Sequence, residues 1–125
     1  MRVIIIEDSM PVQGMLREAL SQIDGIVVAG VASTCRDASH LVERHQPTTA
    51  ILDLQLEDGS SIPHIPSLLA ARPGMAIIVF SLHVDPAICR KVLNAGAAYC
   101  LDKIHGVEAV VTAVQQIQSF GLRRQ

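Results

Sequence analysis

Three acidic side chains, a hydroxyl and an amine stand where apolar runs of this chain end. Val3-Ile4-Ile5-Ile6 runs into Glu7-Asp8, and Ala50-Ile51-Leu52 stops on Asp53. Ala76 to Phe80 leads to Ser81, and Ala97 to Leu101 arrives at Lys103. Short apolar, β-branched runs read as strands buried in a sheet, and open α/β sheets bind ligands just outside the carboxyl ends of their strands. Three carboxylates on one such rim repel one another and raise their own pKa values unless a cation intervenes. A hard cation with oxygen ligands, Mg2+, meets that need. A carboxylate held beside such a cation, a hydroxyl and a lysine is a candidate phosphoryl acceptor. The acid attacks phosphorus while the cation, Ser81 and Lys103 take up charge on the equatorial oxygens. The bland alternative is that Glu7-Asp8 caps the following helix and Lys103 pairs with Asp102 or another acid. That alternative is reasonable for any one residue and weak for all of them at strand ends together.

The elements that must position these groups follow from periodicity and punctuation. Residues 2–6 read as a strand, and Ser9 caps a helix with Pro11 in its first turn. Val12, Leu16, Ala19, Leu20 and Ile23 form its apolar stripe, and Asp24-Gly25 is the expected stop. Ile26 to Val31 reads as a second strand. Thr34 with Asp37 resembles a capping box at the head of a helix striped by Ala38, Leu41, Val42 and His45 and ended by Pro47. The strand Thr48–Asp53 follows, then a turn at Asp58-Gly59. Ser60, Ser61, Pro63 and Pro66 predict a late or irregular helix start before Leu68-Leu69-Ala70, because a proline past the first turn removes a backbone donor. Met75 to Phe80 is a fourth strand, and Asp85-Pro86 opens a helix that Gly96 ends. Ala97 to Leu101 is a last strand. Val107, Val110, Val111, Val114 and Ile117 stripe the final helix, with Gly121 as its expected close. Strands alternating with helical patterns predict an α/β fold: a doubly wound, five-stranded parallel sheet in a single domain over residues 1–125.

Composition narrows the function classes. Half the residues are hydrophobic, yet the chain holds one Tyr, two Phe and no Trp. The core is therefore aliphatic, and platforms for stacking single-stranded bases are essentially missing. The net charge is −2 with no basic stripe, which argues against direct nucleic-acid binding. Arg123-Arg124 reads as a solvated end. No segment approaches the ~18 apolar residues of a membrane span, and the apolar run at the start is too short for a signal peptide. Cys35, Cys89 and Cys100 form no C-x-x-C pair and read as reduced cytosolic thiols packed as small hydrophobes. A cytoplasmic protein is expected.

From end to end the chain resembles a receiver domain of the two-component response regulators, a bacterial signal-transduction family. The matching pieces are the acidic pair in IIIEDS, Asp53 in ILDLQLEDG with Gly59 in the turn after it, Ser81 in IIVFSLH, and Lys103 in NAGAAYCLDK. Each is weak alone; in this order and spacing they are specific. The resemblance implies the flavodoxin-like strand order 2-1-3-4-5, which flavodoxin shares with a chemotaxis receiver. It implies that Asp53 accepts a phosphoryl group from a sensor histidine kinase or phosphotransfer protein in a phosphorelay. Asp8, Asp53 and the backbone carbonyl of Gln55 would ligate Mg2+, with Glu7 acting mainly through a water. Ser81 would bond a phosphoryl oxygen and shift on activation, and Lys103 would pair with the phosphoryl group. The phosphoprotein would then be a switch, with phosphotransfer and hydrolysis its only chemistry, whose surface near the fourth helix and last strand changes state. An output partner or fused effector domain is left open, as is a homodimer.

Three departures from the family pattern bear on function. Receivers usually carry an aromatic three residues before the lysine; here that position is Cys100, and the aromatic is Tyr99. Adjacent strand residues face opposite sides, so Tyr99 does not simply replace it, and coupling from Ser81 is expected to be weakened or rerouted. Ile104 stands where a proline, often cis, usually follows the lysine. The proline usual near Glu57 or Asp58 is absent, while prolines appear at 63 and 66. Gln55 and His83, two residues past Asp53 and Ser81, are candidate modulators of dephosphorylation: a side-chain amide can orient water, and an imidazole can bond or shield it. They imply a phosphoryl lifetime of minutes rather than days. A pseudo-receiver, an interaction module that works without phosphorylation, is the competing reading, and the intact acid, hydroxyl and lysine positions argue against it. A flavin carrier would need a Ser/Thr/Gly-rich phosphate loop where Glu7-Asp8-Ser9-Met10-Pro11 stands.

Overall fold

Five parallel strands, each followed by a helix, make up the computed structural model, which describes residues 1–120. Gly121 and the Arg123-Arg124 pair lie outside the described residues. The elements are β1 (Arg2–Ile6), α1 (Met10–Ser21), β2 (Val27–Ala32), α2 (Cys35–His45) and β3 (Thr49–Leu52). A small hairpin follows, β4 (Gln55–Leu56) and β5 (Gly59–Ser60), then a 3₁₀ turn over Ile62–His64 and α3 (Ile65–Ala71). The chain closes with β6 (Ala76–Ser81), α4 (Pro86–Ala95), β7 (Tyr99–Asp102), a 3₁₀ turn over Lys103–His105 and α5 (Val107–Phe120). The main sheet runs β2-β1-β3-β6-β7 with every pair parallel. This is the expected order 2-1-3-4-5 once the hairpin strands are set aside.

Alternation along each strand divides the core. Ile4, Ile6, Ala50, Leu52, Ile77 and Val79 pack on one face against α2, α3 and α4. Val3, Ile5, Ile51, Ile78 and Phe80 pack on the other against Leu16 and Leu20 of α1 and Val110, Val114 and Ile117 of α5. Each fully buried aliphatic side chain contributes about 1.5–3 kcal/mol relative to exposure. Because β1, β3 and β6 are covered on both faces, their sequences are unbroken apolar runs instead of alternating ones.

The caps explain the helix starts. Ser9 Oγ accepts from the Val12 N–H, Thr34 Oγ1 from Asp37, and Asp85 Oδ1 from Ile88 at 2.8 Å. Prolines occupy the first turns of α1 and α4, where no N–H is needed. The prolines at 63 and 66 have the expected effect: a 3₁₀ turn leads, and α3 is only seven residues long.

Several boundaries differ from the sequence reading. α1 ends at Ser21 on Gln22, and Gly25, with φ +84°, serves the turn into β2 instead. α2 stops at His45 because Gln46 adopts a left-handed cap, φ 45°, so Pro47 lies just beyond the stop. β2 runs one residue later than expected. β6 begins at Ala76 and takes in Ser81, and β7 begins only at Tyr99, because α4's cap at Gly96 uses Ala97 in its final turn, where the Ala97 N–H reaches the Val92 carbonyl. The β4–β5 hairpin has no alternating pattern to announce it.

Candidate functional site

The carboxyl ends of β1, β3 and β6 are held level by register. Ile6 pairs with Leu52 and Leu52 with Val79. The Asp53 N–H donates to the Ile6 carbonyl at 2.9 Å, and the Glu7 N–H to the Ala32 carbonyl at 2.8 Å. The acids thus emerge where the strand order reverses between β1 and β3, the crevice in which doubly wound sheets hold ligands.

Glu7, Asp8 and Asp53 each place a carboxylate oxygen within 4.8 Å of the others. Lys103 Nζ bridges two of them, 2.8 Å from Glu7 Oε1 and 2.9 Å from Asp53 Oδ2. Ser81 Oγ donates to Asp53 Oδ1 at 2.7 Å and accepts from the Leu54 N–H at 3.4 Å. The Gln55 N–H also reaches Asp53 Oδ1, at 3.2 Å. Asp53 is 6% exposed, Ser81 3% and Glu7 2%, so these bonds form where water screens them little. Asp102 does not take the lysine. It caps the 3₁₀ turn through the Ile104 N–H and also accepts from Val84, and both donors hold its carboxyl below the usual range.

One ammonium faces three carboxylates. Burial, reinforced by the charge of Asp53, pushes the Glu7 carboxyl up despite its bonds to Lys103 and to the Ser9 N–H. Burial pulls Lys103 down, but Glu7 and Asp53 together outweigh it and raise the amine. Burial is the larger cause at Glu7, but at both groups the charge of Asp53 favours the proton, and the pocket holds three carboxylates against one ammonium. That imbalance, and an all-oxygen donor set, suit a hard divalent cation and not a soft one.

Gln55 and His83 are exposed and line one groove with Leu54, Ser60, Ser81 and Leu82 beside the acids. His83 adopts φ 57°, rare for a side chain with a Cβ. Cys100 pairs in register with Val79 and packs on the α3–α4 face. Tyr99 lies on the opposite face, and its hydroxyl donates to Gln116 Oε1 of α5 at 2.8 Å. The two positions are therefore not interchangeable.

Two supporting residues have no clear signature in the sequence. Ser61, wholly buried, donates to the Asp53 carbonyl at 2.7 Å, and its N–H to the Leu54 carbonyl at 2.9 Å. It holds the backbone of the acid from behind. By sequence it is one of a Ser-Ser pair near prolines, and only its burial distinguishes it. Asp58, in the hairpin loop, accepts from the N–H groups of Cys35 and Arg36 at the head of α2, and the first of these chiefly holds its carboxyl below the usual range.

A parallel five-stranded sheet with acids gathered at its carboxyl rim, a hydroxyl and a lysine defines the receiver class of signalling domains. Residues 3–115 match the family described as the response regulator receiver domain, and the chain belongs to that family. Among similar proteins, the transcriptional regulatory protein MalR of Bacillus subtilis is 30% identical over 112 residues, 90% of this chain and 48% of MalR. A protein-glutamate methylesterase/protein-glutamine glutaminase of Rhodopseudomonas palustris is 32% identical over 105 residues, 82% of this chain and 27% of that protein. The chain spans about half or less of the curated relatives it matches. The isolated receiver domain of RcsB from Salmonella enterica serovar Typhimurium, solved with the phosphomimetic BeF3-, superposes with a TM-score of 0.87 at 24% identity, covering 96% of this chain and 89% of that one. The response regulator domain of Thermotoga maritima CheB gives 0.85 at 18% identity, covering 100% and 98%. Among the described residues, no helix is long and apolar enough to cross a membrane.

Proposed function

We propose that this chain is a phosphorylatable receiver in which Asp53 accepts a phosphoryl group from the phosphohistidine of a sensor kinase or phosphotransfer protein. The observation that carries the reading is the convergence of Ser81 and Lys103 on the two oxygens of one buried carboxylate, at 2.7 and 2.9 Å. Asp53 attacks phosphorus, the P–N bond to the donor histidine breaks, and the imidazole leaves. Lys103 and Ser81, already placed on the acceptor, transfer their bonds to the phosphoryl oxygens as charge develops there. Glu7 keeps the ammonium oriented, and Ser61 fixes the acceptor's backbone. Asp8, Asp53 and the Gln55 carbonyl would hold Mg2+, with Glu7 acting through water, and the ion would supply positive charge to the transferring group. Gln55 and His83, flanking the opening, would set the hydrolysis rate of the aspartyl phosphate.

Residues 1–125 form one receiver unit in this reading, either stand-alone or joined to an output domain, and the phosphate biases a two-state surface around α4 and β7. The test is intact mass after incubation with Mg2+ and a small phosphodonor, wild type against Asp53→Asn. Gain of one phosphoryl group in the wild type alone supports the acceptor. No gain together with no Mg2+ binding would favour the pseudo-receiver. If Gln55→Ala and His83→Ala both leave hydrolysis unchanged, the modulator role is wrong.

A further inference from the structure

Cys89 and Cys100 meet at the joint between α4 and β7. Cys89 sits in the first half of α4, three residues before the buried Val92, and Cys100 stands on β7 beside Val79 of β6. Cys89 Sγ lies 2.6 Å from Cys100 Sγ and 3.9 Å from the Cys100 carbonyl oxygen. Both thiols are free and half-buried, so a small reagent reaches them while their neighbours hold them in place. The third cysteine, Cys35, is buried at the head of α2 against Ser60 and Asp58, away from the pair. Cys100 follows Cys89 by eleven positions, which is no recognised redox spacing; only the fold brings the sulfurs together.

We propose that Cys89 and Cys100 are a reversible redox pair that closes to an intramolecular disulfide strapping α4 to β7, with a low-molecular-weight disulfide as oxidant. The Cys89 thiolate attacks one sulfur of the small disulfide, forming a mixed disulfide and releasing one small thiolate. Cys100 then gives its proton to solvent, its sulfur attacks the Cys89 sulfur, and the second small thiolate leaves. Two protein thiols and one small disulfide become one protein disulfide and two small thiols. Burial, then the neighbouring Cys89, push the Cys100 thiol up to about 12; Cys100, packed on the sheet beside Val79, is the resolving sulfur and Cys89, on the surface helix, the attacking one. Its low thiolate fraction is offset by contact, since the second step is intramolecular between groups already touching. Intracellular disulfides of this kind are characteristically transient and redox-sensing.

The strap encloses the α4 cap at Gly96 and the start of β7, the segment leading to Asp102 and Lys103. Its effect on signalling rests on the receiver reading above: oxidation would hold the α4–β7 surface in one arrangement and uncouple it from Asp53.

The test uses the full chain in a buffer of oxidised and reduced glutathione, quenched by alkylation and read by intact mass and peptide mapping. The expected product has lost two hydrogens, links the Cys89 and Cys100 peptides, leaves Cys35 as a thiol and returns to the starting mass with dithiothreitol. Cys35→Ser should behave identically, while Cys100→Ser should stop at a glutathione adduct on Cys89. Three thiols alkylated when the glutathione-treated wild type is quenched in denaturant, a stable adduct with no two-hydrogen loss, or a bridge to Cys35 would each overturn the pair. None of these readouts needs phosphorylation. A second arm compares the α4–β7 amide resonances with and without phosphodonor in both redox states. Equal responses would overturn the link to signalling while leaving the disulfide standing.

Discussion

Lys103 is the most informative residue to remove. Lys103→Met keeps the length of the side chain and deletes the ammonium, so Glu7 and Asp53 lose their shared partner and stand with Asp8 as three carboxylates and no fixed cation. The two bonds lost are charge-assisted, 2.8 and 2.9 Å long, between groups 13%, 2% and 7% exposed at the side chain. Breaking a buried pair from one side costs about 3–5 kcal/mol. Lys103 is near the pocket mouth, so the low end, about 3 kcal/mol, is expected at pH 8. At about 4 °C per kcal/mol for a domain of this size, that lowers Tm by about 12 °C. The pH dependence follows from the proton count. Lys103's raised pKa means its contribution is complete below the unfolded amine's pKa, near 10.4, and is lost only above that, so the lysine itself does not titrate between pH 5 and 8. Glu7 does: already raised by burial, it binds its proton more tightly still once the ammonium that opposed this is gone, and the penalty shrinks as pH falls toward 5. Mg2+ at ten times its Kd returns about 1.4 kcal/mol, and at one fixed Mg2+ concentration the variant should gain more than the wild type because the ion then carries the neutralising charge alone and binds more tightly. Thermal unfolding by circular dichroism, at pH 5 and 8 with and without Mg2+, reads all three quantities. A Tm equal to wild type at pH 8 without Mg2+, or a penalty that does not change with pH, would refute the under-neutralised pocket.

Other perturbations reach the supports of the site. Ser61→Ala removes a buried donor from the Asp53 carbonyl and should cost about 1–3 kcal/mol, measured by urea unfolding; no loss would mean that the carbonyl finds another donor. Asp58→Ala should destabilise at pH 7. Because its folded pKa is depressed, its contribution is present above the unfolded value and fades as pH falls through the folded one, so wild type and variant should converge toward pH 2 in the same assay. Gly96→Ala places a Cβ against Leu69 Cδ1 at φ +119° and should cost more than about 1 kcal/mol; a neutral result would show that the end of α4 re-forms. Cys35, its thiol pushed up to about 11 by burial and by Asp58, should resist iodoacetamide at pH 8 until the protein unfolds.

The sheet was legible because its strands are covered on both faces. Ile4-Ile5-Ile6 and Ala76 to Phe80 need no alternation to be recognised, and each ends on a residue of the candidate site. The bond from Ser81 to Asp53 and the bridge from Lys103 to Glu7 follow once strand ends are level. Positions whose meaning lies in depth, not type, were not legible. Ser61 is distinguished from Ser60 only by burial, and the β4–β5 hairpin is too short to leave a pattern. Cys89 and Cys100 become neighbours only when α4 packs on β7. Strand starts slipped by one or two residues where a cap, as at Gly96 and Ala97, borrowed residues from the strand that follows.

The sheet also acts as a partition. The two apolar clusters share no residue, one lying on the α2–α3–α4 side of the sheet and the other on the α1–α5 side. Substitutions on opposite faces, such as Leu20→Ala on α1 and Leu68→Ala on α3, should therefore add almost without interaction energy, as distant sites with no common neighbours do. One face can drift in sequence to suit a new contact without the other having to follow.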